Sequence, residues 1–251
     1  MCHTVAGVKS ASPALLHRLL FDSLSDASPI LSVFAFARRL RAEARTGSIR
    51  HALQGKNLSL LVETPGPKSS PLQRAAIDLG ARVAEVPFAD ADGSVPRDLG
   101  ALARILGRMY DAIDCGSLAA PVVERIEREA GVPVYAGLGL DDRPARALAD
   151  LLTLSEAGPP TGAPPGIVFL GDTQTLRSRV FLASARQVGF VVKPGKPGHE
   201  SAASEADFVV DATHPPRWSL RRANVPLDEE QRSENHRCLM QTVLMDTMAR
   251  A

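Results

Sequence analysis

The stretch LSLLVETPGPKSSPLQRAAIDLG, residues 58–80, decides how the chain can fold. It opens with LSLLV at 58–62, and an apolar run of this kind is typical of a strand buried on both faces of a parallel sheet. The following helix begins with Ser70 and Pro71, a capping serine before a proline, and it ends at Gly80. The stretch therefore predicts a strand, a loop and a helix, an arrangement that can hold a phosphate at the helix N-terminus.

Strands and helices alternate on both sides of this stretch, which predicts an α/β fold with right-handed crossovers and parallel sheets. The Pro/Gly-rich segment GPPTGAPPG at 158–166 breaks the pattern and indicates a loop between two lobes. About three strands are expected after it, so the second lobe should be the smaller one. The expected helices are 28–44, 71–80, 99–109, 121–130, 144–156, 176–188 and one beginning near 227; the expected strands are 58–62, 81–88, 110–116, 132–138, 167–172, 190–193 and 206–212.

Composition limits the class of function. The chain has 251 residues, a formal net charge of +1 and only 4% aromatic residues. Neither nucleic acid nor a membrane is therefore an expected partner. The three cysteines, Cys2, Cys115 and Cys238, are too widely spaced to indicate a zinc site or a disulfide framework. Neither a signal peptide nor a membrane span is expected, which predicts a cytoplasmic protein.

Six segments, taken in order, carry a family resemblance. They are LQGKNLSLLVETP (53–65), RAAIDLGA (74–81), RMYDAI (108–113), RPARALADLLTLSE (143–156), LGD (170–172) and RSENHRCLMQTVL (232–244). Together they resemble the carbamoyltransferases, and the ornithine carbamoyltransferases most. The resemblance implies two doubly wound parallel-sheet lobes with a cleft between them, assembled as trimers. It also implies carbamoyl transfer from carbamoyl phosphate to an amine, as in the conversion of ornithine to citrulline, with no metal or organic cofactor.

The same resemblance implies a division of the chain. Residues 1–150 would form a lobe like the family's carbamoyl-phosphate-binding lobe, and 151–226 a reduced lobe like its amino-acid-binding lobe. Residues 227–251 would form a helix that packs back on the first lobe. The family's amino-acid loop, D-x-W-x-S-M-G, and its later H-C-L-P motif are absent, and DATHPPRWSL at 211–220 fits neither spacing. The residues that would bind an amino-acid substrate are therefore unknown.

The phosphate loop of active members reads S-T-R-T, whereas GPKS stands at 66–69 here. Pro67 has no N–H to donate, and Lys68 keeps a positive charge without the bidentate fork of arginine. Ser69 and Ser70 still offer hydroxyl groups. Two interpretations stay open: a partial anion site built from Lys68, Ser69 and Ser70, or a structural turn in which Ser70 caps the helix.

The family's H-P-T-Q motif, whose histidine and glutamine bind the carbamoyl group, reads R-P-A-R here. Arg143 and Arg146 therefore stand at those two positions. Arginine cannot accept a proton, but its charge can polarise a carbonyl or hold a carboxylate or phosphate. Three interpretations stay open: solvated arginines at a helix start, an altered anion site shared with Lys68, or catalytic residues of a retained carbamoyl transfer.

A second phosphate-side arginine normally follows the D-A-I strand, where this chain has Cys115 and Gly116. Cys115 is interpreted as a small residue at a strand end rather than a nucleophile, because no partner histidine is indicated near it. His214 is interpreted as a loop histidine rather than a catalytic base.

Three further polar positions on helices also have structural interpretations. His236 and Cys238 are two residues apart and do not share a helix face, so no metal site is predicted. Asp150 and Glu156 are expected to cap or pair within the fold rather than act as general acid and base.

These positions leave three classes of function. The first is a working carbamoyltransferase with an altered site; its activity is expected to be lost or altered, since each lost charged contact to a transition state costs about 2–4 kcal/mol. The second is a non-catalytic structural or regulatory relative that joins an active enzyme. The third is a protein that binds a different anionic metabolite through Lys68, Arg143 and Arg146. The expected partners are a small anionic metabolite and further copies of the chain.

Overall fold

The structure is a computed structural model, and it describes residues 27–46, 51–63, 69–88, 96, 98–158, 164–195, 206–222 and 225–249. These residues form two lobes, each built on one sheet with helices packed against it. The predicted α/β class with two lobes is therefore confirmed. The exact division at residues 150 and 226 stays a prediction.

The sheet of the first lobe has four strands in the order β2-β1-β3-β4, and every pairing is parallel. Four of the six residues of β1 are buried, as its apolar sequence predicts. The carboxyl ends of parallel strands meet at one edge, which is where open α/β sheets bind ligands. The strands are β1 (Asn57–Val62), β2 (Arg82–Pro87), β3 (Ala112–Asp114) and β4 (Val134–Tyr135).

Five helices accompany this sheet. The third of them has the predicted bounds, whereas the first begins at Ala27, so that Ser28 is its second residue rather than its N-cap. The fifth is buried along residues 144–154 and therefore lies in the interior of the molecule. The helices are α1 (Ala27–Thr46), α2 (Pro71–Asp78), α3 (Leu99–Met109), α4 (Ala120–Ala130) and α5 (Pro144–Ala157).

The sheet of the second lobe has five strands in the order β6-β5-β7-β8-β9. The expected count of about three strands was wrong. The first three pair in parallel, but β8 and β9 add two short antiparallel strands that carry two arginines and a proline and show no apolar pattern. The strands are β5 (Gly166–Gly171), β6 (Val191–Pro194), β7 (Phe208–Ala212), β8 (Ser219–Arg222) and β9 (Val225–Pro226).

Two more helices complete the described chain: α6 (Leu176–Gln187), which links β5 to β6, and α7 (Glu229–Met248). Twelve of the twenty residues of α7 are buried, because this helix packs against α1, α2 and α5. One hydrophobic core joins residues of both lobes with residues of α7. The last helix therefore contributes to the core that connects the two sheets.

Candidate functional site

A pocket of about 410 Å³ lies at the carboxyl ends of β1 and β3, beside the start of α2; it is called the first-lobe pocket below. Two carboxylates, Glu63 and Asp114, are among the described residues that line it, and none of those residues is basic. A phosphate dianion is therefore not attracted by these side chains.

Ser70 caps α2 at the mouth of this pocket. Its hydroxyl oxygen accepts a hydrogen bond from the backbone N–H of Gln73 at 3.1 Å, and the Ser69 carbonyl accepts one from Nη1 of Arg74 at 3.1 Å. The interpretation of Ser70 as a helix cap is confirmed. Lys68 lies outside the described residues, so an anion site built from Lys68, Ser69 and Ser70 stays a prediction.

Asp114 closes a cradle of backbone donors in the first-lobe pocket. Its Oδ1 accepts hydrogen bonds from the N–H groups of Gly137 (3.1 Å) and Leu138 (2.9 Å), and its Oδ2 accepts one from Gly116 (3.2 Å). Burial raises the pKa of Asp114 to about 6, against the opposing effect of these hydrogen bonds and of the Arg143 charge. The sequence did not indicate this role of Asp114, whose one signal is an acidic residue at the end of an apolar strand.

The raised pKa of Asp114 predicts how the stability of the protein depends on pH. Its folded-state pKa of about 6 exceeds its ordinary value of 3.8, so the folded state holds the proton to higher pH than the unfolded state. Stability from this group is therefore highest below about pH 4 and falls by about 3 kcal/mol as the pH rises through 6. Asp114→Asn removes this titration. The free energy of unfolding of the variant should therefore rise relative to that of the wild type between pH 4 and pH 7. Urea denaturation of both proteins across this range measures the difference. A constant difference would contradict the raised pKa.

Arg143 and Arg146 lie at the start of α5 in different surroundings. Arg143 is at the N-cap position, its Nε is 3.5 Å from Oδ1 of Asp142, and a quarter of its side chain is exposed. The buried Arg146 donates from Nη2 to Glu229 at 3.0 Å. Its Nε lies 3.7 Å from a carboxylate oxygen of Asp141 and 3.8 Å from one of Asp150. The charge of Arg146 is therefore balanced by three carboxylates, and Arg143 is the less compensated of the two.

Asp150 is fully buried and holds the ends of two other helices. Its Oδ2 accepts a hydrogen bond from Nη2 of Arg177 on α6 at 2.6 Å. Its Oδ1 accepts hydrogen bonds from Nε (3.2 Å) and Nη2 (3.0 Å) of Arg232 on α7. Arg177 also donates to the Pro216 carbonyl and lies 3.9 Å from the centre of the Trp218 ring. The expectation that Asp150 pairs within the fold is confirmed.

Glu156, at the other end of α5, is paired in the same way. It accepts hydrogen bonds from Arg41 at 2.5 and 2.9 Å, from Arg38 at 3.2 Å and from Asn235 at 3.2 Å. Although burial alone would raise the pKa of Glu156, the hydrogen bonds from Arg41 and Asn235 lower it below its ordinary value. Glu156 is therefore an ionised structural partner of α1 and α7, as expected.

The family model for the carbamoyl-P binding domain of aspartate/ornithine carbamoyltransferases matches residues 18–156. The chain belongs to this family. The catabolic ornithine carbamoyltransferase of Clostridium perfringens is 33% identical over 174 residues, which make up 67% of this chain and 51% of that relative. The chain thus spans about half the length of the curated relatives it matches.

Solved carbamoyltransferase structures share the fold. Ornithine carbamoyltransferase from Thermus thermophilus is 20% identical, with a TM-score of 0.66 over 92% of this chain and 98% of that chain. Aspartate transcarbamoylase from Trypanosoma cruzi in complex with phosphate is 15% identical, with a TM-score of 0.66 over 93% and 98% of the two chains. The predicted carbamoyltransferase-like architecture is confirmed.

A second cavity of this chain, with a volume of about 500 Å³, lies between α2, α5 and α7. Arg146 and His236 line it and are both buried. Burial and the charge of Arg146 lower the pKa of His236 to about 3, so its imidazole is neutral at physiological pH. Its Nε2 has no hydrogen-bond partner among the described residues. The sequence raised His236 only as a metal ligand, because its neighbours in the sequence are polar and do not indicate a buried position.

The remaining candidates have structural surroundings. Burial raises the pKa of the Cys115 thiol to about 12 and that of Cys238 to about 11, so both thiols are protonated at neutral pH. His214 is exposed, and its Nδ1 lies 2.9 Å from Oγ1 of Thr213. Within the described ranges, no three His, Cys, Asp or Glu residues are placed to hold a metal ion. No helix of the described chain is both long and apolar enough to cross a membrane.

Proposed function

We propose that this carbamoyltransferase-family protein has lost most or all transfer of a carbamoyl group from carbamoyl phosphate to ornithine, and that it serves as a non-catalytic member of the family. The first-lobe pocket carries this proposal, because Asp114 already occupies three backbone donors there. A bound phosphate needs cationic or N–H donors that the protein does not use itself. Carboxylates at the edge of the pocket repel such a ligand instead.

The state of Arg146 supports the same proposal. Stabilising the charge that develops during acyl transfer requires donors aimed at the substrate and free to meet it. Arg146 instead donates to Glu229 and faces two further carboxylates. A substrate oxyanion would have to compete with these three groups, one of which, Asp150, is fully buried.

The proposal is tested by assaying citrulline. The purified chain, with carbamoyl phosphate and ornithine, is expected to form no more citrulline than a reaction without protein. Ornithine carbamoyltransferase from Thermus thermophilus, assayed under the same conditions, is the positive control. A panel of other amines extends the assay to altered acceptors. Saturable formation of citrulline, or of any other carbamoylated amine, would refute the loss of activity.

A second candidate function, binding of a small anionic metabolite through Lys68 and Arg143, is favoured by one observation. Nε of Arg143 is buried and makes no hydrogen bond in the described part of the chain, although Oδ1 of Asp142 lies 3.5 Å away. Thermal-shift titration of the same protein preparation with phosphate, carboxylates and carbamoyl phosphate separates the two functions. Stabilisation that disappears in Lys68→Ala/Arg143→Ala, with no citrulline formed, supports binding without catalysis. Stabilisation that survives both changes excludes this site.

We also propose that the chain self-associates, as the family resemblance implies for a trimer. Two large apolar side chains on one face of α3 support this: Ile105 is 53% exposed and Met109 is 61% exposed. Residues four apart on a helix are neighbours, so the pair forms one apolar strip that water would otherwise contact. An association with an active relative would use such a surface equally well, and co-purification would distinguish it from self-association.

A further inference from the structure

A groove of about 500 Å³ runs along the outer side of α6 in the second lobe and is called the second-lobe groove. Its apolar side is formed by the half-buried Val192 and the exposed Pro194 of β6, above the buried side chains of Phe169 and Leu182. Thr173 and Gln174, in the loop that follows β5, close one end. The groove therefore combines an apolar wall with a polar end, as small-molecule sites commonly do.

Two arginines of α6, Arg179 and Arg186, line the groove. They are exposed and seven residues apart, so they lie on the same face of the helix with their Cα atoms about 10 Å apart. No carboxylate is among the described residues that line the groove. Oδ1 of the neighbouring Asp172 accepts a hydrogen bond from the backbone N–H of Gln174 at 2.8 Å. The exposed guanidinium groups of Arg179 and Arg186 can therefore contact a ligand.

The groove lies on the opposite side of α6 from the contact between the lobes. Arg177 is directed towards Asp150 and Trp218, whereas Arg179, two residues later, lies on the other side of the helix. The charge of the second lobe favours the same kind of ligand. Residues 164–222 contain eight Lys and Arg residues against five Asp and Glu residues. Such an excess attracts anions to this lobe.

We propose that the second-lobe groove binds an elongated organic anion with an apolar body and an acidic group at each end. The apolar body packs on Val192 and Pro194, and the acidic groups pair with Arg179 and Arg186. Guanidinium groups bind carboxylate and phosphate oxygens in a bidentate fashion, so either acid is compatible with the two ends. This proposal goes beyond the function proposed above and concerns a different surface.

The test uses unbranched α,ω-dicarboxylates as probes in thermal-shift and calorimetric titrations of the full chain. Sebacate, which spans roughly the 10 Å between the two arginines, is expected to bind more tightly than succinate, octanoate or inorganic phosphate. Arg179→Ala/Arg186→Ala should weaken sebacate binding about tenfold. Ala183→Glu, which places a carboxylate between the two arginines, should abolish it.

Arg125→Ala/Arg128→Ala is the matched control, because it removes two exposed arginines from α4 and leaves the groove intact. Its sebacate affinity should equal that of the wild type, and unfolding of each variant without ligand shows that it is folded. Equal affinity of the Arg179/Arg186 variant and the control would overturn the proposal. So would the absence of sebacate binding to the wild type, or phosphate binding as tight as that of sebacate. None of these results depends on whether citrulline is formed.

Discussion

Replacing Asp150 with alanine is expected to lower the free energy of unfolding by about 3–5 kcal/mol. Asp150 has no exposed surface, and its partners Arg177 and Arg232 are only 3% and 4% exposed. Without the carboxylate, the buried Arg177 has no ion-pair partner among the described residues, and Arg232 keeps only Glu229, whose side chain is 64% exposed. Removing one partner of a buried ion pair costs more than the pair itself contributes, because the remaining charge keeps its desolvation penalty.

Urea denaturation followed by the fluorescence of Trp218 measures this loss, since the chain has one tryptophan and it lies against Arg177. Asp141→Ala is the control. Asp141 also faces an arginine, at 3.7 Å from Arg146, but its side chain is 54% exposed, so its loss should cost no more than about 1 kcal/mol. Asp150→Asn retains the size of the side chain and separates the charge from the packing. A loss below about 1 kcal/mol in Asp150→Ala would show that the arginines find other partners.

The same network shows what the sequence could and could not reveal. The sequence indicated that Asp150 pairs within the fold, but its partners lie 27 and 82 residues further along the chain, on α6 and α7. Hydrophobic periodicity identifies the helix and its apolar face, because both follow from local spacing. It does not identify which distant helix will face a given polar residue. Ion-pair partners therefore became known only from the packing of the three helices.

The second lobe shows a different limit. The strands β5 and β7 are apolar and were expected from their sequence, whereas β8 carries Arg221 and Arg222 and β9 is a valine and a proline. Antiparallel strands such as β8 and the edge strand β9 need little apolar character, because one face of an antiparallel sheet can contact water. The position of β8 is set by backbone pairing with β7, and no pattern in the sequence predicts this strand.

The sequence predicted the helix starts around the candidate site but not the contacts made there. The loop between β1 and α2 and the start of α5 were both identified, because each is marked by a serine or a proline at a helix start. Asp114 was missed, since its role depends on backbone N–H groups of residues 137 and 138 that reach it from another loop. Asp114 therefore accepts backbone hydrogen bonds next to Cys115 and Gly116, where the sequence indicated only that an arginine is missing.

Replacing Gly107 with alanine is expected to cost about 3 kcal/mol of stability, because α3 and α4 touch there. A Cβ on Gly107 would lie 1.8 Å from the carbonyl oxygen of Ala130, a backbone atom that cannot rotate away. Gly100→Ala, in the same helix, is the matched control: the nearest atom to its Cβ would be Nη1 of Arg104, at 3.3 Å and at the end of a flexible side chain, and the side-chain atoms of Asp98 and Glu129 lie at ordinary contact distances of 3.6 and 3.8 Å. Helix propensity alone favours alanine over glycine by up to ~1 kcal/mol, so Gly100→Ala should be neutral or stabilising.

Urea denaturation measures the difference in free energy of unfolding between the two variants. Equal stabilities would mean that the two helices can separate at little cost, and that their close approach at Gly107 does not fix the packing of the first lobe.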